Sequence, residues 1–176
     1  MNSESEERST RVLVSAGSKH GATAEIAERM GAVLRERGHD ADVLAPGQVG
    51  DLAPYQAVVL GSAVYAGHWV AEAKELAERL AGLKPGIETW LFSSGPIGDP
   101  PKPEEDAVDV AEVMEKTSAR EHRVFSGKID KSKLGFGEKA ILIAVRAPEG
   151  DFRDWDEIEA WAREIADSLM KGEVGV

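Results

Sequence analysis

Short apolar runs alternate with segments of helical periodicity along this chain, and that alternation narrows the folds open to it more than any other feature. It is the pattern of a parallel sheet whose strands are joined by helices. Strands are predicted at residues 12–16, 42–44, 57–61, 87–92 and 121–125, and helices at 24–38, 70–80, 103–118 and 155–169. We therefore expect an α/β fold, a doubly wound five-stranded parallel sheet with helices on both faces.

Length and composition exclude several classes of protein. The 176 residues favour one domain, at 11–171, between a flexible N-terminal tail at 1–10 and a C-terminal tail at 172–176. The net charge of −11 argues against nucleic acid as a partner. There is no cysteine and the four histidines lie far apart, so we expect no thiol chemistry and no metal site. No run resembles a transmembrane segment or a signal peptide, which predicts a cytoplasmic protein.

The first predicted strand leads directly into a loop of small and hydroxylated residues at 18–23. A helix follows, so unpaired N–H groups and the positive end of the helix dipole are expected at this loop. Ser18 and Thr23 offer hydroxyl donors, and Lys19 or His20 adds charge. The pattern predicts a phosphate site, although an isolated loop of this kind more often has its serine as a simple helix cap.

Three commoner motifs are missing from the chain. It has no G-x-x-x-x-G-K-[ST] loop, no G-x-G-x-x-G after the first strand and no G-x-S-x-G elbow. A response-regulator receiver domain needs an aspartate at the end of the third strand, where this chain has Gly61 and Ser62. With these motifs excluded, the loop at residues 18–23 is predicted to be a phosphate loop of another kind.

Two later loops follow the third and fourth strands, at residues 62–69 and 93–99. Because the carboxyl ends of parallel strands line one crevice, we expect both loops beside the phosphate loop. Tyr65 and Trp69 supply flat aromatic surface, and Gly67 lets backbone approach a ligand closely. One loop that binds phosphate and two that contact a planar ring system predict that the ligand is a mononucleotide with a large ring.

Together these loops resemble the flavodoxin family, whose phosphate loop has the form [TS]-x-T-G-x-T. This chain has SKHGAT there, with His20 in place of the middle threonine. The resemblance implies a flavodoxin-like fold with FMN as the cofactor, and no catalytic side chain because the flavin carries the redox chemistry. It implies that the phosphate is held by Ser18, Lys19, His20, Gly21, Ala22 and Thr23. It places the flavin ring between Ser62, Ala63, Val64, Tyr65, Ala66 and Gly67 on one side and Ser93, Ser94, Gly95, Pro96 and Asp99 on the other.

A narrower resemblance rests on SKHGATAEIAE, VVLGSAVYAGHW, SSGPIGD and EGDFRDWDEIEAWA. These segments are similar to flavodoxin-domain proteins related to menaquinone-dependent protoporphyrinogen IX dehydrogenase. That branch inserts a segment before the last helix, here residues 126–150. The similarity implies an oxidoreductase that works with a quinone and a porphyrinogen, or with a redox partner protein. Carrier flavodoxins usually flank the ring with two aromatics, whereas the second ring loop here has none, and an open ring face suits access of a substrate.

The chain is locally basic at residues 116–139, and the apolar run 140–145 follows. These charges could hold propionates or lipid headgroups and bring the protein into peripheral contact with the inner face of the membrane. We favour the simpler interpretation, a solvated face beside a buried segment. Residues 134–146 fit a strand by composition and a helix by family resemblance. Beyond them, Asp154 is expected to cap the last helix and Arg153 to pair locally.

Three functions remain open on the sequence. The chain fits an FMN oxidoreductase with its own substrate, a carrier that shuttles electrons between larger partners, or an interaction module that has lost the cofactor. Gly17 and His20 keep the third function open because they depart from the expected phosphate loop. The sequence favours no particular oligomeric state.

Overall fold

The computed structural model describes residues 10–65, 67–83, 87–95, 109–129, 135 and 150–174. Its strands are β1 (Arg11–Gly17), β2 (Asp40–Leu44), β3 (Ala57–Tyr65), β4 (His68–Trp69), β5 (Glu88–Ser94), β6 (His122–Phe125), β7 (Lys128–Ile129) and β8 (Gly150–Asp151). Its helices are α1 (Ala22–Glu36), α2 (Ala71–Ala81), α3 (Val110–Thr117) and α4 (Trp155–Val174), with a 3₁₀-helix at Pro46–Gln48. No helix in these ranges is both long and apolar enough to cross a membrane.

Five strands form a parallel sheet in the order β2-β1-β3-β5-β6. The strand order reverses between β1 and β3, and ligands of such sheets bind in the crevice that opens there at the carboxyl ends of the strands. β4 folds back antiparallel on β3, and β7 pairs with β8 in a separate two-stranded ribbon. The predicted doubly wound, five-stranded parallel sheet is confirmed.

Two hydrophobic layers cover the sheet, one on each face. Alternate residues of β1 divide between them: Val12 and Val14 pack towards α1 and α4, whereas Leu13 packs towards α2 and α3. The largest fully buried side chains of the first layer are Trp161, Phe92 and Phe125. The helical faces are those that the spacing predicts, so burial of these stripes holds the helices on the sheet.

The central strands extend further than the sequence predicts. The expected ends at residues 61 and 92 are wrong, because β3 continues to Tyr65 and β5 to Ser94. Serine and glycine at these positions have the composition of a loop, yet residues 62 and 63 continue the parallel pairing with 93 and 94. The early part of the predicted helix at 103–118, and the choice between strand and helix at 134–146, lie almost wholly outside the described residues.

Gly61 lies where β3 passes the ring of Phe92 on β5. A Cβ on Gly61 would stand 2.2, 2.3 and 2.4 Å from three carbons of that ring. We expect Gly61→Ala to lower the free energy of unfolding by about 1–3 kcal/mol, because the added methyl overpacks the core. Urea denaturation measures this loss, and Phe92→Leu in the same chain should recover part of it.

Gly47→Ala is the matched control, since a Cβ there meets no atom within 4 Å. Its free energy of unfolding should stay within about 0.5 kcal/mol of the wild type. Equal stability of the Gly61→Ala and Gly47→Ala proteins would contradict the close contact between β3 and Phe92.

Candidate functional site

The register of the sheet brings the ends of β1, β3 and β5 to one edge. Gly17 lies beside Ser62, and Ala63 lies beside Ser94. The loop after β1 therefore adjoins the end of β3, and the end of β3 adjoins the end of β5. A Cβ on Gly17 would stand 2.3 Å from Cγ2 of Val70, so this glycine serves the packing of α2 against β1.

The turn between β1 and α1 is closed by Ser18. Its hydroxyl accepts the Gly21 N–H at 3.0 Å, so Ser18 shapes the turn, and Gly21 takes the N-cap position of the helix. Gly21 has a φ of 94°, and no described heavy atom lies within 4 Å of the position of an added Cβ. The first N–H groups of α1, from Ala22 and Thr23, have no acceptor within the helix. Backbone donors thus lie at the positive end of the helix, next to open space.

Tyr65 at the end of β3 contacts the turn that follows β1. The Lys19 ammonium lies 5.2 Å from the centre of the Tyr65 ring. The His20 ring stands edge-on to the same ring, at 6.3 Å between centres and 81° between planes. These contacts join the predicted phosphate loop to the predicted ring loop through side chains.

Trp69 is buried and cannot offer a face to a ligand, which corrects the expectation from the sequence. Only 2% of the residue is exposed, and it packs in the layer between the sheet and α2. Its Nε1–H donates to the Ser93 hydroxyl at 2.8 Å. The sequence placed Trp69 in a loop near the site, but it did not indicate whether the side chain points towards a ligand or into the core.

Ser62 and Ser93 have buried side chains that hold the strand ends together. The Ser62 hydroxyl accepts the Val70 N–H at 2.9 Å and donates to the Ala63 carbonyl at 2.7 Å. The Ser93 hydroxyl also lies 2.8 Å from Nε2 of His122, on β6. A ligand at this edge can therefore reach residues 62 and 93 through their backbone groups only.

Asp109, which the sequence did not indicate, anchors the hairpin of β3 and β4. Its carboxylate accepts the Trp69 N–H at 2.9 Å and lies 3.3 Å from Nδ1 of His68 and 3.7 Å from Nζ of Lys74. Burial alone would raise the pKa of Asp109, but the Trp69 N–H and the Lys74 charge outweigh it, and the pKa lies below its ordinary value. The carboxylate is therefore charged and ties the hairpin to the start of α3.

The segment before α4 also reaches the site. Asp154 caps α4 as predicted, because its carboxylate accepts the Glu157 N–H at 3.1 Å. Arg153 pairs locally with Asp151, as expected, but it also donates to the Ala22 carbonyl and to Glu25 in the first turn of α1. The sequence offered one signal for this role, an arginine placed between two aspartates.

Three basic residues of the segment 116–139 form ion pairs with glutamates in the part of the chain that the structure describes. Lys116 pairs with Glu78 and Glu112, Arg120 with Glu88, and Arg123 with Glu121 and Glu164. These contacts support the simpler interpretation, a solvated face with balanced charges. The run 140–145 lies outside the described residues.

Not every predicted site residue can be placed. The described positions of 18–23, 62–65, 67 and 93–95 all belong to the carboxyl edge of the sheet, to the loops that leave it or to the first turn of α1. Ala66, Pro96 and Asp99 lie outside the described residues. Their assignment to the ring site stays a prediction.

A doubly wound sheet with this turn at its switch point is typical of α/β proteins that bind a phosphorylated ligand at the carboxyl edge. A family model described as a flavodoxin domain matches residues 13–156. The chain therefore belongs to the flavodoxin-domain family. Members of this family are FMN-binding flavoproteins that transfer electrons to redox partners, and FMN is the cofactor.

Solved structures agree with this fold. A flavodoxin from the domain Archaea is 18% identical, with a TM-score of 0.62 over 90% of this chain and 98% of that one. The Streptococcus pneumoniae TIGR4 flavodoxin is 20% identical, with a TM-score of 0.62 over 90% and 99%. The rubredoxin:oxygen oxidoreductase of Desulfovibrio gigas is 15% identical, with a TM-score of 0.63 over 98% of this chain and 39% of that one. No curated protein sequence matches the chain.

The donors at residues 18–23 fit the phosphate of FMN. This stretch carries backbone N–H groups, two hydroxyls and the Lys19 ammonium, which are the groups that bind phosphate. The carboxylate of the first turn, Glu25, is held by Arg153 at 2.6 Å. Tyr65 places an aromatic ring next to the same turn.

Proposed function

We propose that this chain is an FMN-dependent oxidoreductase with an organic substrate of its own. The burial of Trp69 carries this proposal. Residues 93–108 contain no aromatic side chain, and Trp69 is turned into the core, so Tyr65 is the one tyrosine or tryptophan of the two predicted ring loops, 62–69 and 93–99, that is left for the ring. One face of the flavin is then open to a substrate.

The residues of the site have separate tasks in this proposal. Residues 18–23 hold the phosphate, Tyr65 contacts the ring, and Asp109 keeps the hairpin in place. Bound FMN supplies two-electron redox chemistry. The site residues thus bind and orient the cofactor, and none needs to donate or accept a proton.

The narrower sequence similarity supports a porphyrinogen as the substrate and a quinone as the electron acceptor. In each turnover the porphyrinogen loses two electrons and two protons, and the quinone gains both and becomes a quinol. A quinone is dissolved in the membrane, so the proposed enzyme works in the cytoplasm in peripheral contact with the inner membrane face.

Titration of the cofactor-free protein with FMN and with riboflavin tests the phosphate site. Riboflavin has the same ring but no phosphate. We expect the fluorescence of FMN to be quenched when it binds the protein. FMN should bind at least about tenfold more tightly than riboflavin, a difference of about 1.4 kcal/mol in binding free energy. Equal affinities would refute a phosphate site at residues 18–23.

Turnover tests the reaction. The FMN-loaded protein is mixed anaerobically with protoporphyrinogen and a soluble quinone, and the fluorescence of the porphyrin product is followed. Faster product formation than in the FMN-free protein supports the enzyme. Absence of turnover, in a protein that still relays electrons from a reductase to cytochrome c, would make the chain a carrier.

A further inference from the structure

Arg153 is enclosed between the segment before α4 and the first turn of α1. Its side chain is 5% exposed. Nη1 donates to the Ala22 carbonyl at 3.1 Å and to Glu25 at 2.6 Å, while Nε and Nη2 donate to the two oxygens of Asp151 at 2.8 and 2.7 Å. Each nitrogen of the fork has a partner, so the guanidinium is fixed in position.

Residues close to Arg153 in the sequence also hold its side chain in place. The Asp151 carboxylate also accepts the Arg153 N–H at 3.1 Å, and the guanidinium lies 4.7 Å from the centre of the Trp155 ring. Hydrogen bonding to Asp151 raises the pKa of Arg153 and lowers that of Asp151, so the pair stays charged. The contact with α1 is therefore made by a rigid cation.

The contact falls on the turn whose N–H groups face the proposed phosphate site. Ala22 is the first residue of α1, and Glu25 is the acidic residue of its first turn. A free carboxylate in this turn would repel a negatively charged phosphate bound at its N–H groups. Arg153 holds both the backbone of this turn and its carboxylate.

We propose that Arg153 is a positioning residue that sets the preference of this protein for FMN over riboflavin. It fixes the first turn of α1 and holds Glu25 in an ion pair. This inference rests on the proposed phosphate site at residues 18–23. Arg153 needs no contact with the cofactor for this task.

The test compares FMN and riboflavin affinities in Arg153 variants of the full chain. We expect Arg153→Gln to weaken FMN binding about tenfold and to leave riboflavin binding within about twofold of wild type. Adding Glu25→Gln to this variant should raise its FMN affinity about threefold, and so recover part of the roughly tenfold loss, because the unpaired carboxylate is then gone. Arg153→Lys keeps a cation near Glu25 without the fork, so its loss should be smaller.

Arg29→Gln is the matched control. Arg29 also lies 4.7 Å from the centre of the Trp155 ring, but it pairs with Glu159 on α4. This variant removes the same charge without touching the first turn, so both affinities should stay within about twofold of wild type.

Two results would overturn the role of Arg153. One is an unchanged ratio of FMN to riboflavin affinity in Arg153→Gln; the other is an equal loss for both flavins, as a merely structural role predicts. If Arg153→Gln fails to fold, Arg153→Lys with and without Glu25→Gln gives the same comparison. A wild-type protein without preference for FMN would instead refute the phosphate site itself.

Discussion

Substituting Gly21 by aspartate is expected to weaken FMN binding about 100-fold and to leave riboflavin binding within about twofold of wild type. Gly21 stands at the N-cap of α1, beside open space and the first N–H groups of the helix. Two like unit charges about 5 Å apart near a protein surface repel each other by about 3 kcal/mol, which corresponds to a loss of affinity of about 100-fold. Titration of each variant with the two flavins measures the effect.

Two variants separate charge from backbone strain. Gly21→Asn has nearly the shape of Gly21→Asp and tolerates a positive φ, so its FMN affinity should fall much less. Gly38→Asp makes the same change beyond the other end of α1, where φ is 93° and the surroundings are equally open. An equal loss in Gly21→Asn and Gly21→Asp would show that the carboxylate does not face the phosphate.

Truncating Trp161 to alanine is expected to lower the free energy of unfolding by about 3–5 kcal/mol. The residue is fully buried, with its ring 5.6 Å from Phe125 and 6.3 Å from Phe92 between centres. These two phenylalanines belong to β5 and β6, next to the strand ends at the site. Urea denaturation measures the loss, and a loss below about 1 kcal/mol would contradict the packing of α4 on the sheet.

Trp161→Phe is the matched control because it keeps an aromatic ring and removes the indole N–H. That N–H donates to Glu121 at 2.9 Å, and we expect its removal to cost about 1 kcal/mol at neutral pH. Burial would raise the pKa of Glu121, but the bonds from Trp161 and Arg123 hold it below its ordinary value of 4.5. This stabilisation is therefore complete above pH 4.5 and is lost as the pH falls through the lowered pKa, so the difference between Trp161→Phe and wild type should shrink in acid.

Most of the scaffold could be predicted from the sequence because its signals are local. The apolar run of β1 and the helical stripe of α1 place both elements close to their observed bounds. Serine misled the prediction at the ends of β3 and β5, because it is typical of loops when exposed. Here the buried hydroxyls of Ser62 and Ser93 have hydrogen-bond partners on residues 63, 69 and 70, so these serines are accommodated within the strands.

The supports of the site could not be predicted in the same way. Asp109 meets Trp69 across 40 residues, and Arg153 meets Ala22 across 131 residues. Such contacts depend on how strands and helices assemble, and the residues next to Asp109 and Arg153 do not indicate which distant element each side chain meets. The sequence indicated the loops that we propose for the cofactor site, whereas the fold determines which residues brace them.

The long stretch of sequence between Ala22 and Arg153 has a consequence for the synthesis of the protein on the ribosome. The turn at residues 18–21 is synthesised early, and its brace follows 131 residues after Ala22. At about 5–20 residues per second, the ribosome needs about 7–26 s to make that stretch. During this interval the turn has neither Arg153 nor α4 beside it. On the role proposed for Arg153, we expect tight binding of FMN only after residue 153 has been made and has reached α1.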